Sequence, residues 1–156
     1  MSYRVPEAEF HAHPWRIHEI APDFEVEDVW QLPGTEPLSS FARVVATLTT
    51  LDPSGGPLPA RLLWSARTTL GAWFGWDEDA DGVGRRVTSL RTRLPKDLRD
   101  APIRADAFTD VPFDVLLDLP NEFAAEIANK TVHGVMWIRG RFTGISGWAG
   151  IAWSRR

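Results

Sequence analysis

The sequence predicts an α+β fold in which an antiparallel sheet carries two consecutive helices after its first strand. Three patterns predict it: a short strand-like stretch before a Pro-Gly turn, two amphipathic stretches with helical spacing, and period-two alternation beyond residue 108. With 156 residues the chain has the length of one domain. We expect a domain at 26–144, a partly ordered segment at 1–25 and an atypical tail at 145–156.

The first strand is predicted at Val26–Leu32, which mixes apolar and acidic residues and stops at the Pro-Gly turn. Two helices are predicted next, at Ser40–Leu51 and Pro59–Phe74, because apolar residues fall on one face of each. Serine caps the first helix and proline suits the first turn of the second. A short helical stretch interrupted by a proline follows at Ser89–Leu98.

Later strands are indicated by alternating apolar residues. Phe113, Val115 and Leu117 alternate with other residues before a Pro-Asn turn, which predicts a strand. A further strand is predicted around Arg141–Ser146.

Residues 122–139 predict a β-hairpin with a two-residue turn at Asn129-Lys130, because asparagine adopts the left-handed backbone that such a turn needs. In this register Ile127 faces Val132, and every pair on that side is apolar. The shared face is predicted to be buried and consists of Phe123, Ala125, Ile127, Val132, Gly134 and Met136.

The same register places Glu126 opposite His133 on the other side of the hairpin. A carboxylate beside an imidazole can hold one tautomer and serve as an acid–base pair. The simpler interpretation, which we favour, is a cross-strand polar pair on a solvent face. These two residues are the only catalytic candidates that the sequence offers.

Composition excludes several classes of protein. The chain has no cysteine, which removes disulfides, thiol nucleophiles and cysteine-bound metals. Its formal net charge of −4 gives no field that attracts nucleic acid, and its one basic cluster contains no aromatic residue. Eight tryptophans are unusual, and three of them, Trp64, Trp73 and Trp137, are candidates to line an apolar ligand pocket.

No motif in the sequence predicts a cofactor. His11, His13 and His18 are closely spaced, but they lie in a polar segment without a predicted element to fix metal geometry, so we expect no metal site. Phosphate-binding and dinucleotide-binding motifs are absent from the sequence. No apolar run approaches the roughly 20 residues that span a bilayer, and we expect a cytoplasmic protein.

Several stretches of the chain resemble a bacterial family catalogued as domain of unknown function 2867, over about residues 11–143. The family is similar to the helix-grip superfamily of pollen allergens, polyketide cyclases and lipid-transfer domains. That resemblance implies a curved antiparallel sheet around a long C-terminal helix and an apolar cavity. The stretches that carry it are His13–Glu19, Asp23–Trp30, Gly75–Asp77, Leu94–Arg99 and Ala125–Met136.

The chain departs from the family after Phe142, because Ile145–Trp153 is too short and too rich in glycine to form the long helix. Three functions remain open. The first, which we favour, is binding of a small apolar molecule without catalysis. The second is a cyclase or hydratase that uses Glu126 and His133. The third is a truncated product that self-associates through an uncovered sheet.

Overall fold

The computed structural model describes residues 4–33, 41–50, 88–109, 111–128, 133–140 and 146–154, and these contain one five-stranded sheet. Every neighbouring pair of strands is antiparallel, and the spatial order is β1-β5-β4-β3-β2. The predicted α+β fold with an antiparallel sheet is therefore confirmed. The strands are β1 (Phe24–Pro33), β2 (Asp114–Asp118), β3 (Glu122–Ala128), β4 (His133–Arg139) and β5 (Ser146–Ser154).

The helices of the described residues are short. One is a 3₁₀ helix at Leu90–Arg93, and the predicted interruption at Pro95 separates it from the last α-helix. The predicted second helix, Pro59–Phe74, lies outside the described residues. The α-helices are α1 (Glu7–His11), α2 (Ile17–Ile20), α3 (Phe41–Thr49) and α4 (Lys96–Arg99).

The segment predicted to be an atypical tail, 145–156, contains β5, which lies between β1 and β4 in the interior of the sheet. The strand predicted around Arg141–Ser146 therefore begins only at the end of that range, and residues 141–145 are outside the described part. One reason for a glycine in this strand is visible at Gly150, which faces Trp137 across the pair. A Cβ atom there would lie 2.3 Å from Cζ2 of the indole. Because Gly150 has no side chain, the Trp137 ring can pack against its backbone, and the strand continues without interruption.

The sheet has two buried faces with separate apolar clusters. The Trp137 face carries Phe24, Val29, Ala124, Val135, Trp137 and Ala152. The Phe123 face carries Val115, Phe123, Ala125 and Ile138, and Phe41 and Val45 of α3 join their cluster. These two α3 residues are four apart, so one stripe of the helix meets the sheet.

The β3–β4 hairpin forms, but its predicted register is wrong by two residues. Ile127 pairs with Gly134, and the last pair is Ala128 with His133, so four residues rather than two separate the strands. Val132 and the predicted turn at 129–130 lie outside the described residues. Side chains in a strand alternate with period two, so a slip of two leaves every residue on its predicted face. The face pattern alone could not distinguish these registers.

Strand β2 also departs from simple alternation. Its pairing with β3 shifts between Val115 and Leu117, and Val115, Leu116 and Leu117 are all buried. Val115 belongs to the cluster of the Phe123 face, whereas the two leucines belong to that of the Trp137 face. The irregularity therefore lets three consecutive apolar residues be buried.

The Trp137 face is covered by two segments, residues 4–23 and 88–99. Each supplies buried apolar side chains to the cluster on that face, although neither has a long apolar stripe. An uncovered sheet belongs to the third interpretation of the sequence, a truncated product; in the structure, these two segments cover the Trp137 face. Their buried residues are Val5, Phe10, Trp15, Ile17, Ile20, Leu90, Leu94 and Leu98.

Candidate functional site

A cavity of about 290 Å³ lies between the 4–23 segment and the Trp137 face. Strands β1, β4 and β5 form its floor, and residues of α1, α2 and the turn after α2 form its outer wall. Of the three tryptophans predicted to line a pocket, Trp137 does so, whereas Trp64 and Trp73 lie outside the described residues. Its principal lining side chains are Phe10, His18, Phe24, Val26, Val135, Trp137 and Ala152.

Stacked rings form one side of this cavity. The rings of Phe10 and Trp137 have centroids 4.9 Å apart and planes inclined by 30°. The His18 ring meets Phe10 edge to face, with centroids 4.7 Å apart. Phe10 and Trp137 are almost fully buried. The two rings are packed against each other and make this side of the cavity apolar.

Two ring nitrogens among the lining residues are buried without a hydrogen-bond partner in the described part of the chain. They are Nε2 of His18 and Nε1 of Trp137. Burial, reinforced by the nearby His11 ring, lowers the pKa of His18 below its usual value. His18 is therefore neutral at pH 7, and its ring can donate or accept one hydrogen bond at Nε2 according to tautomer.

Glu126 and His133 are side-chain neighbours, as predicted, with 3.3 Å between Oε2 and Nε2. They lie diagonally across the hairpin rather than opposite each other, because Glu126 pairs with Val135. The expectation of a solvent face is wrong, since each side chain is only 2% exposed. The 4–23 and 88–99 segments that bury this face do not have the periodic pattern that would have revealed it.

Phe24 stands between this pair and the cavity. Its ring lines the cavity and meets the His133 ring edge to face, with centroids 4.9 Å apart. Neither Glu126 nor His133 is a lining residue of the cavity. The pair therefore lies on the same side of the sheet as the cavity but does not line it.

Glu126 also anchors the start of the 3₁₀ helix. Its Oε2 accepts a hydrogen bond from the Leu90 backbone N–H at 2.9 Å, and its Oε1 accepts one from the Ser89 hydroxyl. Burial alone raises the pKa of Glu126, but the hydrogen bonds from His133, Ser89 and Leu90 together outweigh it and lower the pKa below its usual value. The carboxylate is thus ionised at neutral pH and caps the helix from across the core.

Glu122, at the other end of β3, anchors the start of α2 in a similar way. It is 3% exposed, and its Oε1 accepts a hydrogen bond from the Ile17 backbone N–H at 3.2 Å. Burial raises the pKa of Glu122, although Arg139 and Arg16 act in the opposite direction. Two glutamates four apart on one strand therefore hold both covering segments. The sequence does contain a signal for this arrangement. The two-residue period of a strand places Glu122 and Glu126 on the same face of β3, with Ala124 between them.

The three clustered histidines separate in the structure. His11 and His18 approach each other at the cavity, with ring centroids 5.6 Å apart, whereas His13 contacts the Glu9 carbonyl through Nδ1 at 3.0 Å. Within the described ranges, no group of three histidine or acidic side chains could hold a metal ion. At the cavity, His11 contacts Glu7 through Nε2, whereas Nε2 of His18 has no hydrogen-bond partner in the described residues.

The family model for a protein of unknown function, DUF2867, matches residues 20–141. The chain belongs to this family. The match includes β1 to β4 and hence the two buried glutamates and Trp137, whereas Phe10 and His18 precede it and β5 follows it. No curated protein and no solved structure matches the chain. Among the described helices of this family member, none is long and apolar enough to cross a membrane.

Proposed function

We propose that this DUF2867 protein binds a small, largely apolar molecule in the cavity between its 4–23 segment and the Trp137 face. The observation that carries the proposal is the cavity itself, at about 290 Å³ and walled by the rings of Phe10 and Trp137. An apolar protein cavity of roughly 150 Å³ can hold benzene. The space here therefore suits a molecule of about two fused rings.

The chemistry of the lining supports an apolar ligand. Among the described residues, most lining side chains are aliphatic or aromatic, and the only ionisable ones are His11 and His18. Moving apolar surface from water into such a site is favourable by about 25 cal/mol per Å². A bicyclic ligand gains enough from this transfer to bind without any charged anchor.

Binding of an uncharged two-ring fluorescent probe, 1-aminonaphthalene, tests the proposal. We expect saturable fluorescence enhancement with one site per chain. The variant Ala21→Trp should abolish it, because Ala21 lines the cavity wall and an indole there occupies the space. The matched control is Ala101→Trp, since Ala101 is also partly buried after a short helix but does not line the cavity.

The control separates occupation of the cavity from the mere addition of a tryptophan. Enhancement that disappears only in Ala21→Trp supports the proposal. Equal enhancement in both variants, or none in the unmodified protein, contradicts it. Thermal melts of the two variants establish that each is folded during the titration.

A second proposal, acid–base chemistry by Glu126 and His133, is supported by one observation. The pair faces the side of the sheet that contains the cavity, separated from it by Phe24. Catalysis there requires Phe24 to swing aside. If the pair is catalytic, His133→Gln should abolish turnover of a cyclic enone by hydration while the protein remains folded. If the unmodified protein shows no turnover, this second proposal fails and the binding proposal is unaffected.

A further inference from the structure

We infer that the ligand extends beyond the cavity walled by Phe10 and Trp137 and ends in a protonated amine, which lies in a second, adjoining cavity beside Glu7 and Glu27. The inference rests on the proposed binding function and specifies its ligand class, an aromatic alkylamine. Three observations carry it: the position of the second cavity, a bulge in β1, and the charges that line the second cavity.

The second cavity has a volume of about 370 Å³ and lies between the start of the 4–23 segment and β1. Val26 lines both cavities, so the two spaces adjoin at this side chain. On the opposite wall, Glu7 lines the second cavity and His11 lines the first, and Oε1 of Glu7 is 3.4 Å from Nε2 of His11. A ligand can therefore extend from the first cavity into the second along α1.

The bulge in β1 brings a carboxylate to the second cavity. The pairing of β1 with β5 shifts between Val26 and Asp28, and Glu27 is the extra residue at this point. In a regular strand, consecutive side chains point to opposite faces, and a bulge changes that direction locally. Val26 and Glu27 consequently line the same cavity. The Glu27 backbone carbonyl accepts a hydrogen bond from the Arg4 guanidinium at 3.1 Å, which holds the bulge in place.

The charges at the second cavity favour a cation. Among the described residues, its lining contains two carboxylates, those of Glu7 and Glu27, and one guanidinium, that of Arg4. A ligand ammonium group has three N–H donors, and its hydrogen bonds to carboxylates are strengthened by charge. The Glu7 side chain is 67% exposed, so an ammonium group beside it keeps part of its hydration while the apolar end of the ligand is buried.

The spacing of Glu7 and His11 sets the length of the ligand. These residues are four apart in α1, which corresponds to about 6 Å along a helix axis. About four methylene groups span this distance. We therefore expect the best ligand to carry its amine about four carbon atoms from the ring system.

Equilibrium dialysis at pH 7 and low ionic strength tests the inference with three naphthalenes. Each carries the same four-carbon chain, which ends in an amine, an alcohol or a carboxylate. We expect the amine to bind about three- to tenfold more tightly than the alcohol, as two partly solvated charge contacts provide. The carboxylate should bind more weakly than the alcohol. Addition of 1 M NaCl should remove the difference between amine and alcohol, because exposed charges are then screened.

A shorter pair of compounds tests where the amine lies. The amine and the alcohol with a one-carbon chain should bind equally well, because an ammonium group so close to the ring does not reach the second cavity.

Variants of the two glutamates show whether they provide the preference. Glu7→Gln and Glu27→Gln should each reduce the advantage of the long amine, and the double variant should abolish it. The matched control is Glu9→Gln, because Glu9 is also an exposed glutamate of α1 but lines neither cavity. Unchanged binding of the long alcohol shows that each variant is folded and that the first cavity is intact.

The outcomes distinguish this inference from the proposed function. If the long alcohol binds but the long amine has no advantage over it, the ligand class is wrong and the cavity-binding function stands. The same conclusion follows if the double variant keeps the advantage, or if the short amine shows an equal one. If none of the compounds binds below millimolar concentration, the proposed function fails and this inference fails with it.

Discussion

The two faces of the sheet are covered in different ways. On the Phe123 face, the nine residues of α3 contribute Phe41 and Val45 to an apolar cluster. On the Trp137 face, the covering helices have only four or five residues, and buried carboxylates accept a backbone N–H group at the start of two of them, α2 and the 3₁₀ helix. Among the described residues, the buried ionisable side chains, Glu122, Glu126 and His133, all belong to this second arrangement.

The difference shows how a short helix is held in place. Helix formation has a costly nucleus, so helices of one turn are unstable by themselves. A longer amphipathic helix can be held by its apolar stripe, whereas α2 and the 3₁₀ helix need anchors at their first N–H groups. Glu122 and Glu126 provide these anchors from one strand. The cavity lies on the anchored side.

The largest effect is expected from alanine substitutions at two glycines that lie on opposite faces of the sheet. A Cβ at Gly150 meets the fully buried Trp137 at 2.3 Å, and a Cβ at Gly134 meets the partly exposed Trp153 at the same distance. Trp153 has room to move and Trp137 does not. We expect Gly150→Ala to lower the free energy of unfolding by about 3 kcal/mol and Gly134→Ala by about 1 kcal/mol. Urea denaturation measures both. Equal losses would mean that the two faces are packed with the same rigidity.

The second prediction compares the two anchors. Glu126→Gln replaces an ionised carboxylate that accepts three hydrogen bonds, and we expect it to cost about 2 kcal/mol at pH 7. Glu122→Gln should change stability by less than about 0.5 kcal/mol, because burial already raises the pKa of Glu122 and disfavours its ionised form. Chemical denaturation at pH 7 measures both values. A larger loss for Glu122→Gln would contradict this ranking.

The pH dependence of these two variants should have opposite signs. Because the pKa of Glu126 is lowered in the folded protein, its stabilisation is present above the ordinary value of 4.5 and is lost as the pH falls through the lowered value. Because the pKa of Glu122 is raised, its contribution is most favourable below 4.5 and is lost as the pH rises through the raised value. Stability curves from pH 3 to 7 for each variant, compared with the unmodified protein, test both slopes. Parallel curves for the two variants would contradict the prediction.

The smallest expected effect concerns the surface pair between the covering segments. Arg93 and Asp23 are 40% and 56% exposed, so their ion pair is screened by solvent. We expect Arg93→Gln to cost less than about 1 kcal/mol and the loss to vanish in 1 M NaCl. A salt-independent loss as large as that of Glu126→Gln would show that the surface pair, rather than the buried carboxylate, holds the 88–99 segment.

The candidate site was only partly predictable. The sequence indicated Trp137 as a pocket residue and Glu126 with His133 as neighbours, because strand periodicity places these residues without knowledge of the rest of the chain. It gave no indication that Phe10 and His18 line the same cavity as Trp137. Their segment has no apolar period, and its contribution depends on contacts with Trp137, far along the chain.

By itself, the sequence determined the antiparallel α+β class, the presence of a helix at α3 and the face on which each hairpin residue lies, because these follow from local periods of 3.6 and two residues. Tertiary structure decided the hairpin register, since registers two apart bury the same side chains. It also decided that β5 enters the interior of the sheet and that residues 4–23 cover the Trp137 face. These outcomes depend on contacts between distant parts of the chain, such as Trp137 over Gly150 and Glu122 with Ile17, which no local pattern encodes.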